Sequence, residues 1–204
     1  MTELGEWVNQ HKNSPNSDFY SNKFDFSKRF DLYGQIADTE LKDQPFTYLE
    51  FGVASGKSFR WWMEKIKHPQ VDFHGFDTFT GLPEDWGLHK ANSMSNDGKF
   101  PTLLDDRGKF HKGLFQETLP GFIRKNSWGK RLVIMMDADL YTSTLYVLTS
   151  LAPYMKPGDI ILFDEFNIPR HEFLAFKNFV SSYYIKYEVI GARNNYYFVA
   201  VKLK

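Results

Sequence analysis

YLEFGVASGKS, residues 48–58, decides the fold: an apolar run carries an acid at Glu50, turns through Gly52 and Gly56, and enters a helix-like stretch at Lys57. Strand, glycine turn and helix in that order open an α/β unit. Working outward, three further apolar runs stop at acids: FHGFD at Asp77, LVIMMDADLY at Asp137 and Asp139, and IILFDEF at Asp164 and Glu165. In an open α/β sheet, ligands gather beyond the carboxyl ends of the strands, where the strand order reverses. Four such ends sharing one cleft offer a ligand, or a divalent metal, a ring of carboxylates beside a backbone-lined turn.

Around these runs the pattern alternates strand and helix. Strands are predicted over 47–51, 71–76, 132–136, 160–163, 187–190 and 196–202, with helical stretches near 57–67, 143–155 and 170–184. A further strand, expected in the centre of the sheet, is read at KFHKGLF, 109–115. The expectation is a Rossmann-like α/β fold: a mostly parallel seven-stranded sheet with helices on both faces. The linker GARNN is too short for a crossover helix, so the last two strands form a hairpin with one of them antiparallel. Residues 46–204 form the main domain and 1–45 a preface packed on it. Within the preface, 1–24 has little periodicity, while 24–41 is helical, with Phe26, Phe30, Leu32, Ile36 and Leu41 roughly on one side. Residues 80–108 form a lid-like insertion; loops of that length in a compact domain are functional covers or disordered. Leu82, Trp86, Met94 and Phe100 give this one something to bury.

Composition narrows the class. At 204 residues the chain suits one domain with a substantial core. Its 25 basic and 25 acidic side chains balance, so no global field favours nucleic acid or an anionic membrane. The absence of cysteine leaves only oxygen and imidazole ligands, for which a hard ion such as Mg²⁺ is the natural candidate. No run approaches the roughly 20 apolar residues of a membrane span, and the N-terminus lacks a basic start and apolar stretch; a cytoplasmic location is expected. The aromatic residues, 18% of the chain, are expected mainly to fill the core, and the aromatic preface suggests a homodimer.

The glycine turn invites comparison with a phosphate-binding loop, which would make the chain a nucleotide hydrolase or kinase. That loop needs four residues between its first glycine and the Gly-Lys-Ser; here only Val53, Ala54 and Ser55 intervene. A dinucleotide fingerprint fails too, because Ala54 stands at its second glycine. An acid, two glycines and a helix start suit a ligand with a cationic head and a nucleoside. S-adenosylmethionine has both, and Asp77 at the next strand end suits its ribose hydroxyls. A non-catalytic protein that binds this cofactor is the second alternative.

Taken in order, LEFGVASGKS (49–58), GFDTFTGLPEDW (75–86), KGLFQETLP (112–120), MMDADLYTST (135–144) and KPGDIILFDEF (156–166) resemble the class I S-adenosylmethionine-dependent methyltransferases of the macrocin O-methyltransferase type. The resemblance runs from about residue 46 to the C-terminus. It implies the class I methyltransferase fold and O-methylation of a hydroxyl on a sugar or other small natural product. By the same resemblance, Glu50, Gly52, Ala54, Gly56, Ser58, Asp77 and Gln116 form the cofactor site, and Asp137, Asp164 and Glu165 bind the divalent metal. The family often has Gly at the position of Ala138, and Asp-Asp or Glu-Asp at Asp164-Glu165. The chain is also short for that family, which bears on how it grips an acceptor.

The chemistry of the residues agrees with those roles. A hydroxyl is a poor nucleophile; a metal lowers its pKa and holds it in line with the methyl group, and a neighbouring carboxylate takes its proton. Asp137 is expected as ligand and base, with Asp139 orienting the site; the alternative for Asp139 is a cap on the helix starting near Tyr141–Thr144. His68, His74, His89, His111 and His171 show no metal-ligand spacing, although His89 or His111 could reach the acceptor. Of Trp61 and Trp62, one is expected on the sheet and the other against a neighbouring element; Lys57 reads as a solvated side chain.

Overall fold

The computed structural model describes residues 2–204. Seven strands, β1 (Phe46–Phe51), β2 (Asp72–Asp77), β3 (Gly108–Lys112), β4 (Arg131–Met136), β5 (Ile160–Phe163), β6 (Tyr187–Arg193) and β7 (Phe198–Leu203), lie in the order β3-β2-β1-β4-β5-β7-β6. All pairings are parallel except those of β7, which runs antiparallel to both β5 and β6. The order reverses between β1 and β4, which places the switch point above the glycine turn. The expected third central strand exists at 108–112, but it lies at the sheet edge beside β2.

Helices α1 (Glu3–His11), α4 (Phe115–Lys125), α5 (Tyr141–Leu151) and α6 (Glu172–Ser182) cover one face; α2 (Lys28–Ile36) and α3 (Lys57–Lys65) cover the other. Side-chain alternation along the strands builds both cores. Leu49, Phe51, Ile134, Met136, Ile161 and Phe163 join the first cluster, while Tyr48, Val133, Met135, Ile160 and Leu162 join the second. Trp62 of α3 is fully buried, whereas Trp61 stacks on Phe30 of α2, centroids 5.9 Å apart. Among the described residues, no helix is long and apolar enough to cross a membrane.

Two helices depart from the sequence reading. Within the stretch read as aperiodic, Thr2 caps α1 by accepting from Gly5 N at 3.2 Å, with Glu3 and Glu6 in the first turn. Trp7 anchors that helix, its ring 4.8 Å from Phe166 and its Nε1 donating to the Tyr187 hydroxyl at 2.8 Å. Second, the run 109–115 changes element before its end: the Glu117 carboxylate accepts from Leu114 N at 3.1 Å and starts α4 despite Pro120 inside it. That proline has no N–H for the Gln116 carbonyl, which is left without a helical donor.

The segment between β2 and β3 folds on itself through hydrogen bonds between Leu82 and Ser93, Asn92 and Leu82, and Asn96 and Phe79. Leu82 is buried, but Met94 and Phe100 are about half exposed, against the expectation for the insertion. The side chains that hold it are instead at its roots, where Phe79 meets Phe100 and Phe110.

Candidate active site

Gly52 follows β1 with φ +93°, and a Cβ there would lie 1.7 Å from the Asp137 carbonyl oxygen. Only glycine lets the β1 turn and the β4 exit touch backbone to backbone. Gly56, φ +74°, caps α3 and packs against Pro101 of the insertion, where a Cβ would meet the ring at 2.7 Å. Above Gly52 opens a cleft of about 510 Å³, lined at its base by Gly52, Ala54, Asp77, Asp137, Asp139, Asp164 and Glu165. Gln116 forms one side, and Leu82, Pro83 and Glu84 of the insertion lie over it. Glu84 accepts from the Thr142 hydroxyl at 2.8 Å, tying the insertion to α5.

Strand alternation explains why the acids converge. Carrying the period of two through the strand ends puts Asp77, Asp137 and Asp164 in one phase, that of the α2–α3 face. Asp77 is engaged by the glycine turn: Oδ2 accepts from Val53 N and Ala54 N, both at 2.7 Å, and Oδ1 from Phe79 N at 2.5 Å. Of about four acceptor positions on a carboxylate, one remains on Oδ1 for a hydroxyl donor. The same contacts rule out a phosphate cradle, because a carboxylate occupies the amides that would wrap the phosphate.

Burial pushes the Asp137 carboxyl up to about 7; the Arg29 guanidinium opposes the shift and Glu165 adds to it. Asp139 is pushed up to about 8 by burial, then by Asp137 and Glu165. Asp164 lies well above the carboxylate range, again through burial and Asp137. The cleft therefore holds more acid than its surroundings compensate.

The positions expected for the cofactor separate into two groups. Gly52, Ala54, Asp77 and Gln116 line the cleft; Glu50, Gly56 and Ser58 do not. Glu50 is 1% exposed, accepts from the Tyr48 hydroxyl at 2.5 Å, and is pushed well above the usual range by burial. Burial and the Tyr48 hydroxyl hold this carboxyl beneath the cleft rather than in its lining. Ser58 is buried in the first turn of α3.

Asp137 and Asp139 both line the cleft, although by a different route from extended alternation. β4 ends at Met136, and Asp139 adopts φ +59°. Nor is Asp139 a helix cap: Leu140 precedes α5, with no side-chain cap. The expected Mg²⁺ ligands do not fit an ion. Arg29 Nη2 donates to Asp164 Oδ2 at 2.7 Å, the Tyr197 hydroxyl donates to Glu165 Oε1, and among the described residues no three Asp, Glu or His side chains gather so as to hold a metal. His111 turns away to pair with His74 at 3.1 Å, and His89 is exposed, stacked on Trp86.

Sequence reasoning missed Arg29 and Phe26, which reach the cleft from the preface, and the Glu84–Thr142 tie. Nothing local marks them, since Asp164 lies 135 residues from Arg29 in the chain.

Comparison with known proteins places this geometry in context. A methyltransferase-domain family matches residues 49–166, which span the strand ends of β1, β2, β4 and β5. The chain is 32% identical over 111 residues, 45% of its length and 41% of the relative's, to 8-demethyl-8-(2,3-dimethoxy-alpha-L-rhamnosyl)-tetracenomycin-C 4'-O-methyltransferase of Streptomyces olivaceus. It is 30% identical over 105 residues to mycinamicin III 3''-O-methyltransferase of Micromonospora griseorubida, covering 50% of this chain and 38% of that one. The matches thus span about two fifths of the curated relatives. The crystal structure of the calicheamicin methyltransferase CalS11 shares the fold, with a TM-score of 0.66 and 21% identity over 87% of this chain and 77% of that one.

Proposed function

The chain belongs to the methyltransferase-domain family, and on that premise we propose that it transfers a methyl group from S-adenosylmethionine to a hydroxyl of a small-molecule acceptor. The observation that carries the reading is the convergence of the acids at three strand ends, β2, β4 and β5, on a cleft floored by Gly52 of the β1 turn. A ligand that enters that cleft must tolerate close backbone approach and bring positive charge and hydroxyl donors. S-adenosylmethionine fits each requirement.

In this reading Gly52 and Ala54 let the cofactor approach the β1 turn, Asp77 accepts from a ribose hydroxyl through its remaining Oδ1 position, and Gln116 borders the base. When bound, the cofactor supplies an electrophilic methyl group: the acceptor oxygen forms the new C–O bond, and the C–S electron pair stays on sulfur. Asp137 takes the acceptor's proton, and its position near neutrality suits a general base. Asp139 orients Asp137 and the acceptor. The insertion, tied down by Glu84 and Thr142, keeps water from the reacting centre. Sugars and other hydroxylated natural products are the acceptor class to try first, by similarity to the tetracenomycin and mycinamicin enzymes. The ion fails the fit above, so no step passes through Mg²⁺.

Thermal unfolding with S-adenosylhomocysteine and with ATP tests the proposal, because a ligand that binds only the folded state raises the midpoint. S-adenosylhomocysteine raises it, ATP does not, and Asp77→Ala abolishes the rise. A wild-type protein indifferent to S-adenosylhomocysteine would remove the reading.

A further inference from the structure

Arg29 belongs to α2, outside the residues matched by the methyltransferase family, yet it enters the cleft. Its guanidinium lies 5.1 Å from the ring centroids of both Phe26 and Phe198 while donating to Asp164. Two aromatic faces and a carboxylate therefore fix one cation in place, with its side chain 15% exposed and that of Asp164 4%. Among the described residues, Asp164 Oδ1 and Glu165 Oε2 are buried without a donor.

We infer that Arg29 is the resident cation of the acidic cleft and takes the place of a divalent ion. The inference rests on the methyltransferase reading. Arg29 holds Asp164 by one oxygen and offsets the surrounding carboxylates. Asp164 Oδ1 and Glu165 Oε2 stay buried beside it without a donor. A divalent ion seeking the same carboxylates meets a guanidinium that cannot deprotonate or leave without unstacking from two rings. Arg29 is thus a positioning residue that makes the preface part of the site.

The test is calorimetric titration of MgCl₂ into the full chain, alone and saturated with S-adenosylhomocysteine, with thermal unfolding in MgCl₂ or EDTA. It compares the wild type with Arg29→Met, which keeps an apolar stem between the rings, and Arg29→Lys, which keeps the charge. The wild type and Arg29→Lys show no saturable Mg²⁺ uptake and no EDTA effect. Arg29→Met gains uptake, and its midpoint rises by about 3–6 °C at Mg²⁺ near ten times Kd. Saturable uptake by the wild type overturns the inference, and so does a folded Arg29→Met indifferent to Mg²⁺. Should Arg29→Met fail to fold, the wild type and Arg29→Lys decide: indifference of both sustains the inference, and uptake by either overturns it. Failure of the methyltransferase reading is separately visible as absent S-adenosylhomocysteine binding, while the titration with Mg²⁺ alone stays readable.

Discussion

At the edge of the sheet where the parallel strands begin and β7 ends, Lys130 pairs with Asp72, Arg131 with Glu40, and Lys202 with Glu40 and Glu188. The buried Asp159 there accepts from Leu132 N and Lys156 N, both at 2.8 Å. At the carboxyl ends of the same strands, Asp137, Asp139, Asp164 and Glu165 crowd around one guanidinium. A formal net charge of zero conceals this split. Paired charges at one end serve stability and ask nothing of a ligand. The unbalanced end costs stability through desolvation and is relieved when a cationic, hydroxyl-bearing ligand arrives.

The largest expected effect tests the backbone contact on which the acidic end is built. Gly52→Ala forces a Cβ into the Asp137 carbonyl at a positive φ and loses about 3 kcal/mol or more in urea unfolding. S-adenosylhomocysteine binding falls by roughly 100-fold or more, about 2.7 kcal/mol. A wild-type unfolding midpoint for this variant would show that the two turns do not touch.

An intermediate effect has the opposite sign. The folded-state pKa of Asp139, about 8 against 3.8 in a free side chain, means that the folded protein holds this proton longer than the unfolded chain. Its contribution therefore lowers stability progressively as pH rises from about 4 to about 8. Asp139→Asn keeps a residue suited to the left-handed backbone and removes the titration. Its ligand-free midpoint matches the wild type near pH 4, and the variant becomes the more stable of the two above pH 8. Parallel curves across that range would break the contrast between the two ends.

The smallest effect belongs to the balanced end. Lys130→Ala cuts a half-exposed ion pair and costs about 1 kcal/mol or less, with S-adenosylhomocysteine binding unchanged. A binding loss there would mean that the two ends communicate through β4.

The fold was legible wherever a local pattern was strong. The apolar runs of β1, β4 and β5, each with an acid at or just past its end, located the sheet, the turn and the cleft. Less could be read where local signals conflicted: Pro120 and the short run before it hid α4, and polar residues around Trp7 hid α1. At the site, Gly52, Ala54, Asp77, Gln116 and the acids of the β4 and β5 ends meet in the cleft. Glu50 shares their phase but lies one step too deep, buried and bound by the Tyr48 hydroxyl.

The sequence by itself determined which strand ends carry acids and which turn requires glycine, because alternation and positive φ are properties of neighbouring residues. Only the tertiary structure decided how those acids are compensated. Arg29 meets Asp164 across 135 residues, Tyr197 meets Glu165 across 32, and Asp77 fills the amides of a turn 23 and 24 residues before it. Electrostatic balance depends on distance in space and on burial, and neither is written in the local spacing of the chain.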